Sequence, residues 1–366
     1  MGRKGCGALC PIGGRCSENV GFETAICIRT IEYSLNIDLI FMKKIIGLGN
    51  ALVDVLAVME SDKLLSDFGL PKGSMQLVDR TVSDKIVEAI KNQDCAMVTG
   101  GSANNTIYGL AKLGVEAGFV GKIGDDRFGR FFEADSLKNG VKTSLIRSEN
   151  PSGICASLVS PDGERTMATF LGAASEMSAA DVKSEMFDGY DYCHVEGYLA
   201  FDHEFITAVL KKAKDKGLKV SFDLASYNLV ADNLEFMRDL VRNYVDVVFA
   251  NEEEAKAFTG KEAEAALDEM ATMCETVVVK VGAKGSFVKR GAEKVFVKPI
   301  GPDHCLDSTG AGDLYASGFL YGQLRGDSIE LSGKYGSLLS GQIVQVVGAR
   351  LGEDVWSQIR TDLNNL

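Results

Sequence analysis

Runs of consecutive apolar residues recur along the chain: KIIGLGNAL from Lys44, EAGFVGKIG from Glu116, YDYCHVEGYL from Tyr190, LKVSFDL from Leu218, VDVVFAN from Val245 and TVVVKVG from Thr276. Each is short and rich in β-branched or aromatic residues, as a strand buried on both faces requires. Helical spacing stands between several of them, as in HEFITAVLKKAKDKG from His203 and NEEEAKAFTG from Asn251. Strand and helix in alternation predict an α/β fold with a mainly parallel central sheet, helices on both faces, and ligands at the carboxyl ends of the strands. Two further segments behave differently. VDVLAVM through SMQLVD, and SGICASLVSPDGERTMATF, alternate polar and apolar positions around turns such as SPDGE. That pattern predicts a half-exposed antiparallel sheet. We read it as a lid built from about residues 53–78 and 143–172 and inserted into one domain spanning 42–366.

Composition adds limits. With 366 residues and 46% hydrophobic residues, the chain has ample material for a large core. The net charge of −12 is spread over interspersed acids and bases without a basic cluster, which argues against nucleic acid or an anionic membrane as partner. Small molecules are the expected partners, and the chain is expected to be a monomer or homodimer. No uncharged stretch approaches the ~20 apolar residues of a spanning helix. MKKIIGLGNALVDVLAVM from Met42 imitates a signal peptide, but Asp54 interrupts it and no small-residue cleavage site follows. A cytoplasmic address is expected. Residues 1–41 carry Cys6, Cys10, Cys16 and Cys27 but no sustained periodicity. They read as an unstructured extension from an upstream start, and their cysteine spacing fits no zinc pattern. Cys95, Cys155, Cys193, Cys274 and Cys305 read as reduced thiols.

The richest motif is LDSTGAGDLYASGF from Leu306. Gly310 and Gly312 imply a turn of unusual dihedrals or a close approach of another group, and the helix that follows would present bare N–H groups to an anion. Asp313 beside such a site suits a general base, or merely complements the helix dipole. TGGSANNT from Thr99 is a second Gly-Gly turn into a helix. It offers Ser102, Asn104 and Asn105 to hydroxyls where Gly100 and Gly101 allow close approach. Asn50 and Asp54 follow the first strand, and Asp54 faces either water or a bound polyol. Asn251 and Glu254, one helical turn apart, either organise magnesium and phosphate through water or open an ordinary solvated acidic helix. Lys280, Gly282 and Gly285 form a loop that could lie against a nucleotide.

A phosphate-binding P-loop is absent, and GLGNAL lacks the third glycine of a dinucleotide fingerprint. His194, His203 and His304 form no ligand pair or triad.

Together, GGSANN, GKIGDDRFG from Gly121, NEEEA and above all DSTGAGD at 307–313 resemble the ribokinase-like (PfkB) carbohydrate kinase family. GNALVD points within it to the adenosine-kinase-like branch. The likeness spans Met42 to the C-terminus, with Ser308 where the family usually has threonine. It implies a three-layer ribokinase-like fold with a small β-sheet lid, and ATP- and Mg2+-dependent transfer to a hydroxymethyl group, with a monovalent cation as a further candidate. By the same resemblance Asp313 is the base, and the backbone of Gly310, Ala311, Gly312 and Asp313 is the anion hole. Asn50, Asp54, Gly101, Ser102 and Asn105 would hold the acceptor; apart from the resemblance, Glu196 at the end of YCHVEGYL offers a further hydrogen-bond acceptor, one that would favour a polyol over a base. Asn251, Glu254, Lys280, Gly282, Gly285 and Asp307 would serve ATP, with Glu254 reaching magnesium through water. Arg165 either reaches the phosphates from the lid or is a surface arginine. Sugar and nucleoside acceptors both stay open. A non-catalytic binding protein of the same fold is the alternative; the intact Asp313 and its two glycines argue against it.

Overall fold

The computed structural model describes residues 42–366 apart from positions 92, 94 and 303. The expected extension at 1–41, with its four cysteines, lies outside the described residues. Lys43–Leu366 forms one compact unit. It opens with β1 (Ile45–Leu48), β2 (Leu52–Val58), α1 (Lys63–Phe68), β3 (Met75–Leu77), α2 (Arg80–Ile90), β4 (Cys95–Gly100) and α3 (Ser102–Lys112). Next come β5 (Ala117–Gly124), α4 (Arg127–Lys138), β6 (Val141–Ser148), β7 (Gly153–Val159), β8 (Arg165–Phe170), β9 (Tyr192–Glu196) and α5 (His203–Asp215). β10 (Lys219–Asp223), α6 (Tyr227–Asp232), α7 (Leu234–Tyr244), β11 (Val247–Asn251), α8 (Glu252–Thr259) and α9 (Ala263–Met270) follow. The chain ends with β12 (Thr276–Lys280), β13 (Ser286–Arg290), β14 (Glu293–Val297), α10 (Ala311–Arg325), α11 (Ile329–Ile343) and α12 (Glu353–Leu363).

The large sheet has the order β14-β13-β12-β11-β10-β9-β1-β5-β6. It is parallel from β12 to β6, and β13 and β14 close one edge as antiparallel strands. Period-two alternation sends Leu48, Val195, Phe222, Ala250 and Val279 to one face, where they pack with Phe205, Leu229, Met237, Phe258 and Leu267 of α5 to α9. On the opposite face the Phe249 ring meets Phe319 of α10 edge-on, with centroids 5.5 Å apart. Behind α10, Tyr108, Leu314, Tyr335 and Trp356 join α3, α10, α11 and α12 into a second core. The small residues of α10 are therefore used against helices: Ser317 donates to the Thr106 carbonyl at 2.8 Å, so α3 and α10 lie almost backbone to backbone. That contact sets the distance between the two glycine-rich motifs.

The small sheet has the order β3-β8-β7-β2-β4 and is mixed rather than purely antiparallel, since β2 pairs β7 and β3 pairs β8 in parallel. The expected lid boundaries change accordingly. Residues 143–148 belong to β6, which pairs with β5 along its whole length at the edge of the large sheet. An edge strand exposed on one side alternates just as a lid strand does, so the pattern alone does not separate them. Cys95–Gly100, absent from the expectation, forms the other edge of the small sheet against β2. No helix among the described residues is long and apolar enough to cross a membrane.

Candidate active site

The site grows from the start of α10. Gly310 caps this helix at φ 74°, left-handed backbone that favours glycine. A Cβ there would also lie 2.8 Å from the Ala349 Cβ. The Ala311 N–H turns back to the Ser308 carbonyl at 3.1 Å, and it therefore closes the turn instead of facing an anion. Among the described residues nothing accepts from the N–H groups of Gly310, Gly312 or Asp313. Gly312 answers the second sequence expectation, close approach: a Cβ on it would stand 3.0 Å from Lys280 Nζ. An ammonium and a helix start thus share one small space, an arrangement suited to a polyanion.

Asp313 is held from α3. Ser102 Oγ donates to Asp313 Oδ1 at 2.7 Å and Asn105 Nδ2 to Oδ2 at 2.9 Å. Burial pushes this carboxyl up to about 6, against the two hydrogen bonds and Lys280, while Asp223 reinforces the rise. Ser102 and Asn105, expected at the acceptor, therefore orient the candidate base. Gly101 has φ 92°, and a Cβ on it would fall 2.1 Å from the Asn50 carbonyl oxygen. Its smallness admits the β1–β2 loop, not a ligand.

Glu196 and Asn50 are bound to each other. Glu196 is buried, and its Oε1 accepts from Asn50 N at 2.9 Å and Asn50 Nδ2 at 2.6 Å while Oε2 accepts from Ala103 N at 2.8 Å. It clasps the loop after β1 to the start of α3, a structural role that accounts for three of its hydrogen bonds. Burial raises it to about 7 in spite of those three bonds. Asp54 is different: it is 8% exposed and accepts no hydrogen bond from the described residues. Burial raises its carboxyl to about 6, opposed by Arg165 and Arg350. Strand register puts it on one face of the small sheet with Leu56, Val98, Cys155, Ser157, Met167, Thr169 and Arg165. A buried carboxylate with no salt-bridge partner among the described residues, set between polar and apolar neighbours and facing the charges of Arg165 and Arg350, is ready for a ligand's donors.

At the ends of β10 to β12 the charges gather. Asn251 and Glu254 form a capping box for α8, with Asn251 Oδ1 accepting from Glu254 N at 2.8 Å and Glu254 Oε2 accepting from Asn251 N at 2.8 Å. Glu254 is buried, not a solvated helix start, and burial with Asp223 nearby lifts it to about 7. Lys280 Nζ pairs with Asp223 Oδ2 at 3.1 Å. Burial works against its charge, but Asp223, Glu254 and Asp313 outweigh it and hold the ammonium above its usual range. Asp223 carries no motif; its one signal in the sequence is its place at the carboxyl end of a buried strand. Its Oδ1 accepts from the N–H of Ala225, a non-glycine residue at φ 66°, and such strain collects at functional sites. Gly282 opens a single 3-10 turn, and Gly285 serves the β12–β13 turn, since a Cβ there would meet the Val297 carbonyl at 2.2 Å.

Asp307 and Arg165 are found paired to each other. Arg165 Nη1 lies 2.9 Å from Asp307 Oδ2, with side chains 9% and 12% exposed. Asp307 also accepts from Gly348 N at 2.8 Å, Thr309 N at 2.9 Å and Thr309 Oγ1 at 2.7 Å. Arg165 is thus no surface arginine, and Asp307 anchors the anion turn instead of facing a nucleotide. The described residues hold no group of three or more histidine, cysteine or carboxylate side chains that could cage a metal.

The sequence profile described as pfkB family carbohydrate kinase matches residues 73–356. An "uncharacterized sugar kinase" of Archaeoglobus fulgidus is 30% identical over 246 residues, covering 67% of this chain and 97% of the archaeal protein. Two solved structures are similar over 88% of this chain and 99% of their own: a "probable sugar kinase" from Rhizobium etli, with TM-score 0.79 and 31% identity, and adenosine kinase from Sinorhizobium meliloti, with TM-score 0.78 and 32% identity.

Proposed function

This chain belongs to the pfkB family of carbohydrate kinases, and from that premise we propose that it transfers the γ-phosphoryl group of ATP to the hydroxymethyl oxygen of a nucleoside or sugar, with Asp313 as general base. One observation carries the reading: Asp313, held by Ser102 and Asn105, stands beside Lys280 at a helix start whose N–H groups no side chain caps. As the acceptor oxygen forms its bond to phosphorus, its proton passes to Asp313 and the bond to ADP breaks. The N–H groups of Gly310, Gly312 and Asp313, with Lys280, receive the charge spread over the phosphoryl oxygens. Bound Mg2+, reached through water from Glu254, would neutralise phosphate charge. Asp223 keeps Lys280 protonated and placed, and the small sheet acts as the lid that excludes water.

Asp54 takes the acceptor's hydroxyls. The face around Asp54 mixes apolar and polar side chains and does not choose between nucleoside and sugar, and the likeness is shared by a probable sugar kinase and an adenosine kinase. ADP release, measured with Mg-ATP and a panel of pentoses, hexoses and nucleosides, tests the proposal. Turnover is expected with a primary-hydroxyl acceptor and not with its deoxy analogue at that position. Acceptor binding without ADP release anywhere in the panel supports the non-catalytic alternative. With the acceptor so found, Asp54→Ala raises acceptor KM about 10- to 100-fold, the value of hydrogen bonds to a charged group, and leaves ATP KM unchanged. A rise confined to ATP puts the acceptor pocket elsewhere.

A further inference from the structure

Arg350 lies in the loop before α12 and enters none of the chemistry above, yet it is the most heavily engaged cation near the site. Nη1 donates to Asn105 Oδ1 at 2.7 Å and to the Ala349 carbonyl at 2.8 Å. Nη2 donates to the Thr99 carbonyl and to Thr99 Oγ1, the latter at 2.8 Å. The guanidinium carbon sits 4.1 Å from the centre of the Tyr108 ring, a cation–π distance. Its planar fork therefore joins the end of β4 and the first turns of α3 to the C-terminal segment, 245 positions from Asn105.

The contact with Asn105 has a directional consequence. A carboxamide has one acceptor end and one donor end. Arg350 claims the acceptor end, so the donor end must point the other way, where Asp313 Oδ2 takes it at 2.9 Å. A flipped amide would set its oxygen against a carboxylate and its NH2 against a guanidinium. Asn105 is buried and its freedom is small.

We propose that Arg350 is a positioning residue for phosphoryl transfer: it locks the Asn105 amide so that Asn105 aims and stabilises the ionised carboxylate of Asp313. The proposal rests on Asp313 being the base. Arg350 touches no reactant in this scheme and acts through Asn105 and through its charge. Besides Ser102 and Asn105 on α3, Asp313 faces Asp223 and Lys280 from the ends of β10 and β12, Glu196 at the end of β9, Tyr198 beyond it, and Arg350. Three of these are acids or a phenol, so loss of the arginine shifts the balance toward protonation of Asp313.

The test uses the full chain and four variants: Arg350→Met, Arg350→Lys, Asn105→Ala and the Arg350→Met/Asn105→Ala double variant. Their kcat is followed against pH, with KM for both substrates and melting temperature. Arg350→Met lowers kcat at pH 7 by about tenfold, moves the acid limb of kcat upward by roughly half to one pH unit as a nearby opposite charge is lost, and spares ATP KM. Arg350→Lys keeps the limb near its original pH because the charge remains, but recovers only part of kcat because an ammonium cannot form the fork. The Met and Ala losses do not multiply, because both break one chain of contacts. An unmoved limb, or losses that multiply, overturns the proposal. If the methionine variant does not fold, the lysine variant and Asn105→Ala decide: the idea fails when the lysine protein has full kcat, or when the alanine protein leaves the limb in place. Retained turnover in Asp313→Asn would instead remove the base assignment itself, a separable outcome.

Discussion

Asp313→Asn leaves ATP and acceptor affinity near normal and lowers kcat by about 10² to 10⁴, the contribution of a positioned general base. Asparagine keeps the size of the side chain and one acceptor oxygen, but it cannot take a proton from the attacking hydroxyl. The parent enzyme should show the complementary pH behaviour. With its carboxyl raised to about 6, Asp313 is ionised at neutral pH, and kcat falls as pH drops through about 6. That limb is absent from the asparagine variant. Asp54, near 6, can also contribute at low pH, but it acts on acceptor KM. Stability moves in the opposite sense. A folded pKa above the unfolded value of 3.8 means that the stabilising, protonated form is complete only below about 3.8 and is lost as pH rises through about 6. At pH 7 the charge burdens the fold, and the asparagine variant should melt no lower than the parent. Turnover within tenfold of the parent, with the acid limb intact, would remove Asp313 from the role.

The strands of the large sheet were legible because burial on both faces leaves unbroken apolar runs. Gly310 and Asp313 were legible because a left-handed cap and a carboxylate at a bare helix start are local demands, written within a few residues. Other roles depend on what lies across the fold. Gly101 and Glu196 looked fit for a ligand, yet they face Asn50, and Asn50 and Glu196 stand 146 positions apart. No local pattern distinguishes a carboxylate turned to a substrate from one turned to another loop. Asn251 and Glu254 do carry a local signal, the N-x-x-E of a capping box, which the structure bears out and which the magnesium reading had overlooked. Asp223 and Arg350 are single residues outside any motif. Asp223 could have been suspected from its strand end; Arg350 gains its meaning only from Asn105 and Tyr108, contacts that tertiary packing creates.

Asp307→Ala is expected to be the most damaging change away from the reacting atoms. Its carboxylate lies below the usual range because the Gly348 and Thr309 bonds and the Arg165 charge outweigh burial. It therefore contributes stability above the unfolded value of 3.8, and that contribution fades as pH falls through the lower folded value. Alanine strands Arg165, whose Nη1 loses its carboxylate, so that among the described residues the guanidinium keeps the Ser157 hydroxyl as hydrogen-bond partner and the Asp54 charge at longer range. Breaking a largely buried ion pair from one side costs roughly 3 kcal/mol, measurable by urea unfolding. The anion turn suffers too. With Thr309 and Gly348 released, Gly310 to Asp313 lose their anchor, and a shift of about 1 Å in that backbone lowers kcat on the order of 10²-fold. Adding Arg165→Met should restore part of the stability, because the arginine is no longer left without its carboxylate, but little of the turnover, because the turn stays loose. Unfolding within about 1 kcal/mol of the parent, together with normal turnover, would reduce Asp307 to a bystander; stability losses that simply add in the double variant would deny its coupling to the lid.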